Sequence, residues 1–307
     1  MNCDRRGFIQ GSLAAAITAS RLLAGPANQA STKGMQVGMY GTVRKNPEAV
    51  IGQIHELGFP VCEIYTDDLE PELATRLRQA LERRGITATA IFSMGPGPKV
   101  WDFYQGPLTI GLVPRAWRRQ RIDHLKRASD FAKQCAIPAL ETHCGFIPEN
   151  PNDELYGETV AAIREVANHC RSNDQKFLYH AGQETPITLL RAIHDVGLDN
   201  QGVGLDTANP ILYGTGNPVD ALDVDGKYLL AVNPKDGLYP TDPKRLGTEV
   251  PLGQGKVDFP GLIRRLKEIG FRGPLNIERE ISGPQQIEDI KKAKVYLEQL
   301  LVSIQEC

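Results

Sequence analysis

Between residues 139 and 280, five short apolar runs each end in polar residues of the kinds that bind metals or move protons. These residues are His143, His180, Asp206 with Asn209, Asn233 with Lys235 and Asp236, and Glu278 with Glu280. Carboxylate, imidazole and amide groups suit Mn²⁺, Mg²⁺, Co²⁺ or Zn²⁺. Such an ion can hold a carbonyl and its neighbouring hydroxyl, and stabilise the enediolate that forms when the α-proton leaves. The residue types therefore favour a divalent-metal site for proton transfer next to a carbonyl.

The apolar runs belong to an alternation of β-rich and helical patterns that begins at residue 35. The predicted strands are 35–43, 61–66, 87–94, 139–144, 176–180, 203–206, 228–232 and 274–278. The predicted helices are 47–57, 70–84, 117–135, 153–172, 187–196, 218–224, 259–269 and 284–304. Regular strand–helix pairs predict one α/β domain over residues 35–307, a (β/α)8 TIM barrel. The polar residues would then meet at the carboxyl ends of the strands.

A doubly wound open sheet is the competing fold. It is disfavoured because no glycine-rich dinucleotide or phosphate motif follows a predicted strand. Two long loops, 95–114 and 237–259, follow the third and seventh predicted strands, and we expect them to cover the catalytic face as lids or substrate walls. On the first loop, Trp101, Phe103 and Tyr104 have two interpretations: they stack on a sugar, or they pack the loop down.

Residues 1–30 have the pattern of a twin-arginine export signal. Arg5 and Arg6 come before a mildly apolar stretch at 11–23, and small residues at 24–27 supply a cleavage zone. The apolar stretch of about 13 residues is too short to cross a ~30 Å hydrocarbon core as a helix, so no stable membrane anchor is expected. The segment therefore predicts a bacterial periplasmic or secreted protein.

The composition is ordinary for a soluble globular enzyme, with 41% hydrophobic and 23% charged residues. The formal net charge of -2 gives no electrostatic basis for binding nucleic acid. Six cysteines are present, and Cys3 would leave with the signal. The other five have no C-x-x-C spacing, so the sequence assigns no disulfide.

Longer motifs around the polar residues resemble those of the xylose isomerase-like sugar phosphate isomerase/epimerase superfamily. They read HCGFIPE at 143–149, GQETP at 182–186, GLDTANP at 204–210, KDG at 235–237, PLGQGKVDF at 251–259 and NIEREISG at 276–283. The resemblance covers nearly everything after residue 35. It implies a barrel with one divalent metal ion held by Glu, Asp, His and Glu on the fifth to eighth strands.

Matched position by position to that superfamily, the metal ligands would be His180, Asp206, Asn233 and Glu278. Asp206 and Glu278 keep the usual residue types. His180 stands where a glutamate is usual, and Asn233 stands where a histidine is usual. An amide offers only a neutral carbonyl oxygen, and one carboxylate is lost, so we expect a hard cation to be held less tightly.

The same resemblance assigns proton transfer to Glu278 and His180. The superfamily's epimerases use two glutamates on opposite faces of the sugar. An imidazole that titrates near pH 6.5 suits one-sided proton abstraction better than a symmetric exchange. Substrate-binding roles are expected for His143, Asn209, Lys235 and Glu280. A structural hydrogen bond is the alternative for His143, and a solvated turn is the alternative for Lys235.

The leading functional prediction is a sugar or keto-sugar isomerase or epimerase that uses metal-assisted proton transfer. A lyase or hydratase that acts on an oxidised glycoside would share the first step, and it is the alternative enzyme. The alternative from another class is an inactive paralog that binds carbohydrate, because two usual ligand types are replaced. The expected partner is a small carbohydrate, with or without phosphate, and a homo-oligomer is compatible with the sequence.

Overall fold

A closed barrel of parallel strands dominates the computed structural model, which describes residues 34–304. The barrel strands are β1 (Gln36–Thr42), β2 (Val61–Tyr65), β3 (Thr87–Phe92), β4 (Ala139–Thr142), β5 (Lys176–His180), β6 (Gln201–Asp206), β7 (Leu229–Asn233) and β10 (Pro274–Ile277). The strands follow one another in chain order around the barrel, and β10 closes it by pairing with both β7 and β1. The predicted (β/α)8 fold is confirmed, and the export-signal pattern of residues 1–30 lies outside the described residues.

Helices connect the strands and cover the outside of the barrel. They are α1 (Pro47–Glu56), α2 (Pro71–Arg84), α3 (Gly106–Thr109), α4 (Arg115–Gln134), α5 (Glu154–Ser172), α6 (Pro186–Val196), α7 (Asn209–Leu212), α8 (Pro218–Asp225), α9 (Phe259–Glu268) and α10 (Pro284–Ser303). Several starts are encoded locally: Asn46, Thr185 and Asn217 each accept a hydrogen bond from a first-turn N–H, and the next residue is proline. Among residues 34–304, no helix is both long and apolar enough to cross a membrane.

The strands separate an apolar outer layer from a barrel interior that is polar towards the carboxyl ends of the strands. Alternate strand residues such as Ile64 and Val203 pack with the helices in one core. Glu63, in contrast, accepts a hydrogen bond from Asn233 across the barrel, since β2 and β7 are not neighbouring strands. The inward-facing side chains near the carboxyl ends of the strands thus form a polar layer, next to a small apolar cluster of Ala90, Ala139, Leu178 and Ala231. The four described cysteines, Cys62 among them, are free and buried.

The loop after β7, predicted as a long loop over 237–259, contains a short hairpin. Strands β8 (Asp236–Leu238) and β9 (Thr248–Val250) form an antiparallel hairpin there. The carboxylate of Asp236 accepts hydrogen bonds of 2.8–3.1 Å from the backbone N–H groups of Gly237, Gly253, Gly255 and Val257. Asp236 therefore holds the loop in its folded form through three backbone N–H groups of the PLGQGKVDF motif.

The two long loops predicted to cover the barrel touch each other. The N–H of Phe103, in the loop after β3, donates to the carbonyl of Lys244. Asp102 and Arg245 pair through their backbones in an isolated antiparallel β-bridge. Trp101 is 45% exposed, and its ring meets the His143 ring at a centroid distance of 5.1 Å. The first loop thus places an aromatic side chain at the edge of the site as well as packing against the second loop.

A buried carboxyl at the end of α8 predicts a pH-dependent stability. Burial raises the pKa of Asp225 to about 7, and its Oδ1 atom has no hydrogen-bond partner among the described residues. The unfolded value is about 3.9, so the folded state loses stability as pH rises from about 4 to 7. Asp225→Asn should stabilise the protein at pH 8, by about 2 to 4 kcal/mol, and the gain should vanish near pH 4.

Urea unfolding at both pH values measures this difference. Asp223→Asn is the matched control, because Asp223 lies on the same helix with its side chain 66% exposed. The control should show only the small loss expected for a surface ion pair with Arg265. An equal effect of Asp225→Asn at pH 4 and pH 8 would contradict the raised pKa of Asp225.

Candidate active site

Three side chains at the carboxyl ends of β5, β6 and β10 come together at the centre of the barrel mouth. His180, Asp206 and Glu278 each offer one ligand atom, and these atoms lie within 4.8 Å of one another. All three residues are buried. The structure therefore brings together two carboxylates and an imidazole that are separated by up to 98 residues in sequence.

The turn after β6 fixes the orientation of Asp206. Its Oδ1 atom accepts hydrogen bonds from the N–H groups of Ala208 and Asn209, at 2.8 and 3.0 Å. The other oxygen, Oδ2, is 3.5 Å from His180 Nε2 and 2.8 Å from Lys235 Nζ. Burial opposes ionisation, but the Lys235 and His180 cations outweigh it and hold the pKa of Asp206 below its usual range. Asp206 is thus a fixed anion with one oxygen facing the cluster.

Lys235 is a buried cation surrounded by carboxylates. Its ammonium lies 2.8 Å from Asp206, 3.0 Å from Glu280 and 3.5 Å from Glu278, and 3.4 Å from Asn209 Oδ1. The side chain is only 2% exposed, so the solvated-turn alternative is wrong. Although burial disfavours the charged form, the three carboxylates raise the pKa of Lys235 well above its usual value.

Glu278 follows the last barrel strand and is held close to Lys235. Its N–H donates to the carbonyl of Pro234, which ties the end of β10 to the end of β7. Burial raises the pKa of Glu278 to about 7, while the Lys235 ammonium works in the opposite direction. A carboxyl that titrates near neutral pH is suited to accept and return a proton.

The side chain of Asn233 bridges two carboxylates. Its Nδ2 group donates to Glu63 Oε2 at 2.7 Å and to Glu278 Oε2 at 3.3 Å. Its Oδ1 atom is buried and has no partner within residues 34–304. Burial, followed by repulsion from Glu141, raises the pKa of Glu63 well above the usual value. Asn233 therefore keeps an unpartnered carbonyl oxygen at one of the four predicted ligand positions.

His180 is held from two sides. Its Nδ1 atom is 2.8 Å from Glu141 Oε1, and Phe92 meets its ring edge-to-face at 4.9 Å. Burial lowers the pKa of His180, but the ion pairs with Asp206 and Glu141 outweigh burial and raise it well above 6.5. The imidazole is thus fixed in a strongly anionic surrounding.

His143 forms one wall of the site with a neutral ring. Its Nδ1 atom contacts the Gln183 side chain at 2.8 Å, and Gln183 also donates to the Tyr213 hydroxyl. Burial lowers the pKa of His143 well below 6.5, and the nearby His180 cation lowers it further. The rings of His143 and His180 are 4.5 Å apart. This position is compatible with both roles expected for His143, a substrate contact and a structural hydrogen bond. Its ring lies against His180, while Nδ1 is hydrogen-bonded to Gln183.

The structure gathers the predicted site residues around one point. His180, Asp206, Asn233, Lys235 and Glu278 share contacts, Asn209 reaches Lys235, and Glu280 reaches it from the exposed rim. Sequence reasoning missed Glu63 and Glu141. Both are charged residues inside apolar strand runs, Val-Cys-Glu-Ile-Tyr and Ala-Leu-Glu-Thr, and this signal was available.

The donor set fits a divalent ion. One imidazole nitrogen and two carboxylate oxygens lie close enough to share an ion, and the unpartnered Oδ1 of Asn233 offers a further oxygen at the same end of the barrel. The Lys235 ammonium contacts both carboxylates of this set. A bound ion and Lys235 would therefore share the same oxygens.

Comparison with known proteins identifies the family. Residues 51–300 match the family model described as xylose isomerase-like TIM barrel. The chain belongs to this family. A crystal structure of a xylose isomerase domain protein from Planctomyces limnophilus is similar over 89% of this chain and 100% of that chain, with 33% identity and a TM-score of 0.83.

Two more distant similarities extend the comparison. An uncharacterized protein of Methanocaldococcus jannaschii, MJ1311, is 24% identical over 203 residues, and the match covers 62% of this chain and 65% of that protein's length. The chain thus spans just under two thirds of that relative. The structure of D-psicose 3-epimerase, determined in the presence of D-fructose, has a TM-score of 0.66 at 16% identity and covers 87% of this chain and 99% of that one. At this identity the similarity shows the fold alone.

Proposed function

We propose that this protein is an isomerase or epimerase of a sugar or keto-sugar that moves a proton next to the carbonyl group. The observation that carries the proposal is the cluster of His180, Asp206 and Glu278 with the Lys235 ammonium among them. This cluster combines side chains that can transfer a proton with carboxylates that can hold a cation. Membership of the xylose isomerase-like family and the fold shared with D-psicose 3-epimerase support the same reaction class.

A divalent ion held by His180, Asp206 and Glu278, with Asn233 as a further oxygen donor, would supply positive charge to the carbonyl and hydroxyl oxygens of the substrate. Asp206 stays ionised because its pKa is lowered, so it remains an anchor for a cation. Glu278, with a pKa of about 7, accepts the proton next to the carbonyl and returns it at the neighbouring carbon; return on the opposite face would need a second proton donor, a role open to His180.

The surrounding residues would orient the sugar and limit the access of water. Phe92 and His143 form an aromatic wall beside His180, and Trp101 continues that wall to the rim. Lys235 and Glu280 offer a donor and an acceptor for sugar hydroxyls at the mouth. Because three carboxylates already surround Lys235, an uncharged sugar fits this mouth better than a phosphorylated one.

A lyase that acts on an oxidised glycoside is the second candidate. Elimination needs a group that gives a proton to the leaving oxygen, and His180 is held in its protonated form by Glu141 and Asp206. The first step, loss of the proton next to the carbonyl, would be common to both reactions. Product analysis therefore separates the two enzymes after proton exchange has identified a substrate.

Metal content and proton exchange test the proposal together. The wild-type protein should bind about one equivalent of Mn²⁺, and it should exchange a substrate proton with D₂O in at least one ketose or keto-glycoside of a panel. Asp206→Ala should lose both properties, because it removes the fixed anion that contacts His180 and Lys235. Metal analysis and NMR detection of deuterium incorporation are the measurements.

Asp130→Asn provides the control, since Asp130 is a surface carboxylate that pairs with His169 away from the site. This variant should match the wild type in both assays. A protein that binds sugars but neither binds a divalent ion nor exchanges protons would contradict the enzyme and favour the inactive carbohydrate-binding paralog.

A further inference from the structure

We propose that Glu141 is a positioning residue that holds the His180 imidazole with its proton on Nδ1, so that Nε2 points at Asp206. Neither the motifs nor the family comparison assigns a role to Glu141. The inference deepens the proposed function of the same site. Its consequence for catalysis rests on that proposed function, whereas the contact between Glu141 and His180 does not.

The contact between the two side chains is short and fully enclosed. Glu141 Oε1 lies 2.8 Å from His180 Nδ1, and the two side chains are 0% and 2% exposed. Phe92 and His143 pack edge-to-face on the same imidazole, at centroid distances of 4.9 and 4.5 Å. The ring is therefore confined by packing on its faces and by a carboxylate at one nitrogen.

The neighbouring strand is shaped to admit this carboxylate. Gly204 on β6 lies opposite His180 in the strand register, and a Cβ atom placed on it would stand 2.5 Å from the carboxyl carbon of Glu141. The backbone at Gly204 is not left-handed, so its conformation does not require glycine. The absence of a side chain at this position instead makes room for the Glu141 carboxylate.

The carboxylate determines which nitrogen of His180 is available. With Asp206 Oδ2 at 3.5 Å from Nε2, a neutral His180 would by itself favour a proton on Nε2, because that N–H could donate to Asp206. A proton there would prevent Nε2 from holding a metal ion or accepting a proton. Glu141 accepts from Nδ1–H, so the proton that leaves the His180 cation when an ion binds is the one on Nε2, and Nε2 then becomes free and more basic.

Nitrogen NMR of the wild-type protein tests the geometry without any variant. With ¹⁵N-labelled histidine, the His180 signals should show a proton on Nδ1 that is hydrogen-bonded and protected from solvent. A His180 ring with an unprotonated Nδ1 would overturn the proposal, because Glu141 would then be the donor. This measurement does not depend on catalysis, so it remains decisive if the protein proves not to be an isomerase.

Two substitutions on different strands test the consequence. Glu141→Gln removes the charge, and Gly204→Ala places a methyl group against the carboxylate. Each should weaken Mn²⁺ binding by about 10- to 100-fold in calorimetry, and each should shift the Nδ1 proton signal of His180. Either variant suffices if the other does not fold. Asp130→Asn, which removes a carboxylate 2.8 Å from His169 at the surface, is the matched control and should change neither property.

The outcomes separate positioning from a structural role. A folded Glu141→Gln protein with unchanged Mn²⁺ affinity and an unchanged Nδ1 signal would contradict the proposal. Loss of affinity together with a changed His180 tautomer supports it. If the wild type binds Mn²⁺ and shows the Nδ1 proton but exchanges no sugar proton, the proposed function fails while the role of Glu141 stands.

Discussion

Replacing Lys235 with methionine is expected to tighten Mn²⁺ binding at least tenfold and to make the folded protein depend on the ion. The ammonium lies 2.8 Å from Asp206 and 3.5 Å from Glu278, two residues of the candidate ligand set. A unit charge about 4 Å from a cation costs several kcal/mol at the effective dielectric of a protein site. Removing the charge therefore favours any ion that takes its place.

The same substitution leaves buried carboxylates without their cation. Breaking a buried ion pair costs about 3–5 kcal/mol, so the metal-free Lys235→Met protein should melt at a lower temperature than the wild type. Added Mn²⁺ should restore the lost stability, because an ion that binds only the folded state stabilises it. Calorimetric titration and thermal unfolding, with and without Mn²⁺, measure the two effects.

Lys99→Met is the matched control for this experiment. Its ammonium also pairs with a carboxylate, Asp67, at 3.5 Å, and this pair is separate from the candidate ligand set. Mn²⁺ affinity should be unchanged in this variant. If Lys235→Met bound Mn²⁺ no more tightly than the wild type, the ammonium and the ion would not share the oxygens of Asp206 and Glu278.

The barrel was predictable because its signal is local and repeated. Each strand is a short apolar run, each helix has an amphipathic period, and caps such as Thr185-Pro186 mark the boundaries. The predicted and observed boundaries differ by a few residues at most. The seventh strand, for example, includes Asn233, which the sequence pattern placed just after it. Once the barrel is predicted, the convergence of the strand ends follows from its geometry.

The partners of each polar side chain were not predictable in the same way. The environment of Lys235 depends on three carboxylates at sequence distances of 29, 43 and 45 residues, and no local pattern specifies such a cluster. The sequence left two interpretations of Lys235 open, a substrate contact and a solvated turn, and the KDG pattern alone does not distinguish a buried lysine from an exposed one. Its burial results from the closure of the barrel and its loops around it.

Glu63 and Glu141 were partly predictable from the sequence. The residues on either side of each glutamate in its strand are buried, so a glutamate there indicates either a functional group or an error in the strand assignment. The sequence does not reveal that they support Asn233 and His180. These are the two predicted ligand positions whose residue types differ from those that the resemblance implies, and each has a buried carboxylate at hydrogen-bond distance.

Glu278→Gln is expected to reduce proton exchange into the substrate by about 10²- to 10⁴-fold, the usual contribution of a positioned base. The amide keeps the size of the side chain and its contact with Asn233, but it cannot accept a proton. The carboxyl of Glu278 is suited to this role because burial raises its pKa to about 7, near the pH at which most enzymes work. No such match holds for Asp206, whose pKa is lowered and which therefore stays ionised.

The measurement must separate loss of the base from loss of a ligand. Exchange should be followed in D₂O at saturating Mn²⁺, after calorimetry has shown what concentration saturates the Glu278→Gln variant. Glu268→Gln, on the outer helix α9, is the control and should exchange at the wild-type rate. A metal-saturated Glu278→Gln protein that still exchanges at the wild-type rate would exclude Glu278 as the base. His180, once its Nε2 proton has left, would then be the remaining candidate among the three clustered side chains, and the role of Glu141 in holding the other proton on Nδ1 would bear directly on catalysis.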